Sequence, residues 1–165
     1  MSERNKAQVR RVIEEIYNRG HLDVVDEVAA SDLVIRIGAE EIRGHNEIKS
    51  YVAGLRTGFP DLTLTIEDQI AERDMVVTRW TARGTHAGEF KGIPATGREV
   101  RVAGTDIDRI VDGKTVDCWV HMDQLGLMQQ LGGAGAAGFG AGEGMAAAAR
   151  RPDRSEGAND ERSES

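Results

Sequence analysis

The residues best suited to chemistry lie close together near the end of the predicted domain. Four acidic, aromatic or imidazole side chains alternate along one segment: Asp117, Trp119, His121 and Asp123. The preceding Asp112-Gly113 pair predicts a tight hairpin turn, because type I′ turns need two residues with positive φ. Side chains alternate between the two faces of a strand, so all four are expected on one face. Such a group is typical of a pocket that contains an acid or a base.

The hairpin turn also predicts which residues face each other. If Val111 pairs with Lys114, the facing pairs along the hairpin are Asp108 with Asp117, Asp106 with Trp119, Gly104 with His121 and Val102 with Asp123. Two carboxylates directly opposite each other repel when buried, so the turn end is expected to be solvated. The opposite end of the hairpin, at Asp123, is then expected to be buried.

Asp123 is the candidate acid/base. It precedes an apolar segment that contains Leu125 and Leu127, where loss of water would raise its pKa toward neutrality. His121, two residues away, is the second catalytic candidate. A structural alternative stays open, since an aspartate at the junction of a strand and a helix often caps the helix, here one that begins at Gln124.

Other residues are expected to contact a substrate in the same pocket. The candidates are Trp119, Asp106, Val102, Gly104, Arg79 and Trp80. Arg79 and Trp80 are adjacent in one strand, so only one of them can face the pocket. Cys118 is expected to be a small buried residue, and His86 is expected to be exposed on a loop.

Composition excludes several classes of function. The formal net charge of -7 opposes binding to nucleic acid, which requires a basic face. No apolar run reaches the roughly 18 residues needed to span a membrane. The sequence contains neither a Cys/His metal motif nor a glycine-rich phosphate loop. With one cysteine and a polar amino terminus, the expectation is a cytoplasmic protein that needs no cofactor or metal.

The order of predicted elements indicates an α+β fold. Apolar residues at helical spacing predict helices over residues 2–19, 22–29 and 44–58, with a strand at 33–37 between the second and third. From Asp61 onward the period changes to two, which predicts consecutive antiparallel strands. A glycine-rich segment at residues 84–97 is expected to be a long loop over one end of the sheet. Helices followed by strands predict helices on one face of a curved sheet.

Two regions differ in composition. Residues 1–132 have the pattern of one folded domain, whereas residues 133–165 are rich in glycine and alanine and then charged. Such a segment buries too little apolar surface to offset the entropy of ordering it, so a disordered tail is expected.

Several motifs together resemble the SnoaL-like polyketide cyclases, or ester cyclases, of the nuclear transport factor 2-like superfamily. They are Phe59-Pro60-Asp61-Leu62, the segment from Arg79 to His86, the segment from Gly92 to Gly97, and the passage from Asp106 to Gly132. The resemblance implies a cone-shaped α+β barrel, in which a curved antiparallel sheet wraps around the helices and encloses an apolar pocket. It also implies a homodimer formed through the sheet face.

The resemblance further implies an activity. Family members close a ring by intramolecular aldol condensation of a polyketide methyl ester, with an aspartate as general acid/base and without metal or cofactor. The Trp-x-x-x-Asp pattern assigns that role to Asp123. The chain departs from the family at Asp108, where relatives often carry an aromatic residue, and at Asp117, where they often carry glutamate. These departures leave the substrate open.

We therefore expect a cyclase that acts on an apolar carbonyl compound. Two alternatives use the same fold. One is an epoxide hydrolase or an isomerase. Epoxide hydrolysis needs a water held by a carboxylate, an amide and a tyrosine, with an acid opposite, and only Tyr17 and Tyr51 could provide the tyrosine. A non-catalytic module for small-molecule binding or dimerisation is the other.

Overall fold

The structure is a computed structural model that describes residues 2–132. Its helices are α1 (Ser2–Arg11), which continues as a π-helical segment (Val12–Asn18), α2 (Val24–Val28), α3 (Gly44–Gly58) and α4 (Gln124–Gln130). Its strands are β1 (Ala29–Ile37), β2 (Glu40–Arg43), β3 (Thr63–Glu72), β4 (Met75–Thr85), β5 (Glu99–Val111) and β6 (Lys114–Met122). The predicted tail at 133–165 lies outside the described residues.

Six strands form one mixed sheet in the order β2-β1-β6-β5-β4-β3. Neighbouring strands are antiparallel except β1 and β6, which are parallel. The α+β prediction is confirmed, whereas the prediction of a wholly antiparallel sheet is wrong at this pair. The sheet also does not close, and β2 and β3 remain its edges.

The amino-terminal helices cover the inner face of the sheet. Val9, Ile13 and Ile16 recur at helical spacing and are all buried, which explains why this stretch packs its apolar side onto the strands. Ile48 and Val52 do the same for α3, which begins and ends as predicted. Burial of these apolar residues holds the helices over the sheet. A space remains between helices and sheet, toward the carboxyl ends of the helices.

A bulge in β6 determines which side chains face that space. Val111 pairs with Lys114 as predicted, and Ile110 pairs with Thr115. Val116 then has no partner, because the next pair is Arg109 with Asp117. A one-residue shift moves every later side chain of β6 to the other face. The predicted register is therefore correct at the turn and wrong for the rest of the hairpin.

Other boundaries differ modestly from the prediction. The second helix is shorter than expected, because the chain is already extended at Ala29, and β2 was not predicted. The segment after β4 is a long loop, as expected, with a short bridge between Phe90 and Ile93 at its tip. Among residues 2–132, no helix is long and apolar enough to span a membrane.

Candidate active site

A cavity of about 150 Å³ lies between the helices and the inner face of the sheet. Most of its wall is apolar, and the side chains that form this part include Leu55, Phe59, Leu64, Val102, Val120, Met122 and Leu127. The polar groups among the described lining residues are few: Tyr17, Tyr51, Arg83, Lys91, Asp106 and Gln124, with the indole of Trp80. An apolar cavity with a few convergent polar groups is the usual form of a small-molecule site.

Asp106 is the carboxyl group of this cavity. It lies on β5 opposite Val120 of β6 and Thr78 of β4. Burial raises its pKa from 3.8 to about 6, because the charged form loses its hydration. The indole N–H of Trp80 partly offsets this shift and lowers the pKa. The contact is not a well-formed hydrogen bond, since Trp80 Nε1 and Asp106 Oδ1 both remain buried without a partner.

Asp108 lies two residues further along the same face of β5 and is only 8% exposed. Burial is the main cause that raises its pKa to about 7, and the neighbouring Asp106 adds to the shift. Cys118, its partner across β6, is buried as predicted and lowers that pKa through a side-chain contact. The prediction that Asp108 is solvated and faces Asp117 is therefore wrong, and its reason is the bulge. Asp117 instead pairs with Arg36, 3.0 Å away on the outer face.

The helices contribute two tyrosines to the cavity. Tyr17 comes from the π-helical segment and Tyr51 from α3. Burial raises the pKa of both hydroxyls, that of Tyr51 to about 12, and Asp106 adds to the shift of each. Both phenols therefore keep their protons at neutral pH and lie within electrostatic range of Asp106.

The predicted site residues of β6 and of the start of α4 lie outside the cavity. Trp119 lies on the outer face, where the guanidinium of Arg36 is 5.2 Å from its ring centre, and His121 is exposed. Asp123 is also exposed, and its carboxylate accepts a 2.8 Å hydrogen bond from the backbone N–H of Gly126 at the start of α4. The expectation that Asp123 is buried is wrong, and the capping alternative matches its position. Catalytic roles for Asp123 and His121 stay predictions.

The other predicted contact residues lie on different faces of the sheet, because side chains alternate along a strand. Trp80 and Val102 line the cavity, whereas Arg79 faces outward and pairs with Asp68. Gly104 lies opposite Trp80, and a Cβ at this position would lie 2.3 Å from the indole. The glycine is therefore what allows the Trp80 ring to lie flat against β5 and shape the cavity wall.

His86 is fully buried, which contradicts the prediction that it is exposed. Its Nδ1 accepts from the backbone N–H of Thr96 at 3.3 Å, and its ring lies 5.4 Å from that of Phe59. The imidazole thus joins the two ends of the loop after β4. The tip of this loop places Phe90 and Lys91 at the cavity.

Sequence reasoning placed Asp108 in solvent and considered Tyr17 and Tyr51 only for epoxide hydrolysis. One signal was available for the sheet: Cys118, Val120 and Met122 alternate as apolar residues along β6, which is the pattern of an inward face. The tyrosines carry no comparable signal, because a helical aromatic residue is usually core. Within residues 2–132, no three His, Cys, Asp or Glu side chains are grouped as a metal site.

Comparisons with known proteins agree with this architecture. Aklanonic acid methyl ester cyclase DnrD of Streptomyces peucetius is 33% identical over 128 residues, which cover 75% of this chain and 88% of DnrD. A Jannaschia sp. CCS1 protein, provisionally described as a SnoaL-like polyketide cyclase, has a crystal structure that matches with 25% identity, a TM-score of 0.74 and coverage of 79% and 92% of the two chains. AclR of Streptomyces galilaeus, provisionally described as a hydroxylase, matches with 30% identity, a TM-score of 0.72 and coverage of 80% and 83%.

The family assignment rests on the whole length of the fold. The sequence model of the SnoaL-like polyketide cyclase family matches residues 7–131 of this chain. This range runs from α1 to the end of α4. This range includes the two tyrosines, the inner face of β5 and the hairpin with its bulge. The chain belongs to the SnoaL-like polyketide cyclase family.

Proposed function

We propose that the protein closes a ring in a polyketide-like carbonyl compound, with Asp106 as the general acid/base. One observation carries the proposal: Asp106 is the only carboxyl group among the described residues that line the cavity. With a pKa of about 6, Asp106 is ionised in most molecules of the protein at neutral pH. It is also a stronger base than an exposed aspartate. A base with a pKa near the working pH is the most effective one for proton transfer.

The reaction needs no group besides this carboxyl for its proton balance. Asp106 removes a proton from a carbon next to a carbonyl group, and an enolate forms. The enolate carbon attacks a second carbonyl carbon of the same molecule, which forms the ring bond and leaves an alkoxide. The proton on Asp106 then returns to that alkoxide. The product is an isomer of the substrate, and the carboxylate is regenerated.

The cavity favours a substrate that is mostly apolar. Its described lining contributes hydrocarbon and aromatic surface on most sides, so a charged body would lose hydration without compensation. The name of DnrD describes a cyclase of aklanonic acid methyl ester, in which the acid is masked as a neutral ester. We therefore propose neutral keto esters as the substrate class of this chain. Aklanonic acid methyl ester is the first substrate to test.

The experiment compares Asp106→Asn with Asp123→Asn. Asparagine keeps the size of each side chain, and at position 123 it keeps the ability to cap α4. Ring closure of aklanonic acid methyl ester is followed by chromatography, and exchange of the acidic C–H proton is followed by NMR in D₂O. We expect Asp106→Asn to slow both reactions by about 10²- to 10⁴-fold, the usual contribution of a general base. Asp123→Asn should stay within a few-fold of the wild type.

The opposite pattern would contradict the proposal. If Asp123→Asn loses turnover and Asp106→Asn keeps it, the acid/base belongs at the end of β6 and not in the cavity. If both variants bind the ester like the wild type and neither the wild type nor the variants exchange its proton, the non-catalytic binding module is supported. Epoxide hydrolysis is less favoured, because it needs a second acid across the cavity from the carboxylate.

A further inference from the structure

Two phenol groups from different helices converge on the cavity that contains Asp106. Tyr17 and Tyr51 both line it, and the charge of Asp106 raises the pKa of each hydroxyl. Burial and nearby acids account for these shifts, with no hydrogen bond from a described residue among the causes. Both phenol side chains form part of the cavity wall, where a ligand can contact them.

The backbone around Tyr17 is fixed by side chains from other elements. The amide of Asn18 makes two hydrogen bonds with the backbone of Leu64 on β3, at 3.0 and 2.7 Å. Arg56 of α3 donates to the carbonyl oxygens of Tyr17 and Asn18 at 2.7 and 3.0 Å. Tyr17 and Asn18 are the last residues of the helical segment, so their carbonyls have no intrahelical partner, and these contacts hold the backbone that carries the Tyr17 side chain.

Tyr51 is fixed by its position on α3. Its neighbour Val52 is completely buried, and Ile48, one turn earlier, is 4% exposed. Burial of these two residues holds the helix against the sheet, and the Tyr51 side chain forms part of the cavity wall. Two hydroxyl donors are thus positioned before any ligand binds, which is the requirement for efficient stabilisation of a developing charge.

The chemistry proposed for Asp106 generates such a charge. Removal of a proton next to a carbonyl group places negative charge on the carbonyl oxygen, inside a cavity with little other polarity. The described cations at the cavity, Arg83 and Lys91, are exposed, and Lys91 pairs with Glu40 at 3.0 Å. The neutral donors of the interior are therefore the two phenols and the indole N–H of Trp80.

We propose that the hydroxyls of Tyr17 and Tyr51 form an oxyanion site, which binds the oxygen of the enolate that Asp106 creates. The inference rests on the proposed function, because it takes Asp106 as the base. It assigns the substrate class as compounds with a C–H acidic carbonyl group whose oxygen can accept two hydrogen bonds. Asp106, Tyr17 and Tyr51 then act on one carbon–oxygen unit from different sides of the cavity.

The test measures binding and not turnover. Its probes are 2-naphthol, whose naphtholate resembles an enolate, and 2-methoxynaphthalene, which has similar shape and no acidic proton. Binding is measured in Asp106→Asn, where the competing negative charge is absent, and again after adding Tyr17→Phe or Tyr51→Phe. Ultraviolet absorption distinguishes bound naphtholate from bound naphthol.

We expect each phenylalanine to weaken 2-naphthol binding about tenfold or more, as for loss of a hydrogen bond to a charged group, and to lower the naphtholate fraction. The affinity for 2-methoxynaphthalene should change less than about twofold, because removal of a hydroxyl leaves the apolar contacts in place. Met128→Leu, which alters the wall without removing a donor, should affect both probes equally. If one phenylalanine variant fails to fold, the other decides the question.

Equal losses for both probes, or no loss for either, would overturn the oxyanion site. The outcome is independent of the proposed function. If Asp106→Asn keeps its turnover while the tyrosines still select naphtholate, the role of Asp106 fails and the oxyanion site stands. If Asp106→Asn loses turnover while the phenylalanine variants bind both probes as before, the oxyanion site fails and Asp106 remains the base.

Discussion

Asp106 and Val120 face each other directly on β5 and β6, and both side chains line the cavity. The carboxyl group therefore has a hydrocarbon neighbour where a polar partner would have lowered its pKa. Its other strand neighbour, Thr78, is fully buried and receives a 3.2 Å hydrogen bond from the amide of Gln69. This arrangement keeps Asp106 poorly solvated, which is the physical basis of its raised pKa.

Burial of Asp108 should make the stability of the protein depend on pH. Its pKa is 3.8 in an unfolded chain and about 7 in the folded one, so the folded state binds the proton more tightly. The free energy of unfolding should therefore fall as the pH rises from about 4 to about 7 and then level off. Asp108→Asn, which has no proton to lose, should escape this loss.

Urea denaturation of wild type and Asp108→Asn at pH 4.5 and pH 8 measures the effect. We expect the variant to be more stable by about 2–4 kcal/mol at pH 8, from the size of the shift, with a smaller difference at pH 4.5. A difference that does not depend on pH would show that Asp108 is not the titrating group. Carboxyls with lowered pKa, such as Asp61, are present in both proteins and cancel in the comparison.

The cap on α4 gives a second prediction. Asp123 accepts the backbone N–H of Gly126, so Asp123→Ala should lower the free energy of unfolding by about 1 kcal/mol, whereas Asp123→Asn should change it by a few tenths. Denaturation midpoints of the two variants decide this. Unchanged stability of Asp123→Ala, combined with lost turnover, would instead favour the catalytic role that the family resemblance implies.

Most of the fold could be predicted from the sequence, and the point where prediction failed is local. The periodic positions of Val9, Ile13 and Ile16 identify a helix, and the Asp112-Gly113 turn correctly sets the first two pairs of the hairpin. The bulge at Val116 has no local sequence signature, and only the apolar alternation of Cys118, Val120 and Met122 indicates which side chains of β6 face inward after it. One unpaired residue moved Asp123 and His121 out of the site and placed Cys118, in place of Asp117, opposite Asp108.

The site differs from the prediction because it is assembled from distant parts of the chain. Tyr17, Tyr51 and Asp106 come together only once the π-helical segment, α3 and β5 have packed, and sequence spacing alone gives no such contact. The prediction was correct for Asp106, Trp80 and Val102, which lie on the inner face of β4 and β5. The pairing of these two strands is regular, and the bulge in β6 does not change which of their side chains face inward.

Gly104 provides a third prediction. A methyl group there would lie 2.3 Å from the Trp80 ring, so Gly104→Ala should destabilise the protein by about 1–3 kcal/mol and shift its tryptophan fluorescence. Gly54→Ala is the matched control, because that glycine has no heavy atom within 4 Å of its added Cβ, and it should stabilise α3 by up to about 1 kcal/mol. Adding Trp80→Phe to Gly104→Ala should recover part of the loss. Failure of this rescue would show that the ring is not the obstacle.

The outer face of the sheet carries a row of apolar side chains on four strands. In register across β3 to β6 they are Ile70, Val77, Ile107 and Trp119. Ile70 is 69% exposed, whereas the guanidinium of Arg36 covers one face of Trp119. We propose that this row is the interface of the homodimer that the family resemblance implies, since a continuous apolar row on an open sheet favours a second apolar surface.

A charge in the middle of the row should therefore separate the subunits. We expect the wild type to sediment as a dimer at micromolar concentration and Ile107→Lys to sediment as a monomer with an unchanged circular dichroism spectrum, because a buried lysine in the interface would lose its hydration. Leu125→Lys replaces an exposed leucine of α4, 46% accessible and away from the sheet face, and should remain dimeric. A wild type that sediments as a monomer, or equal dissociation of both variants, would contradict the interface.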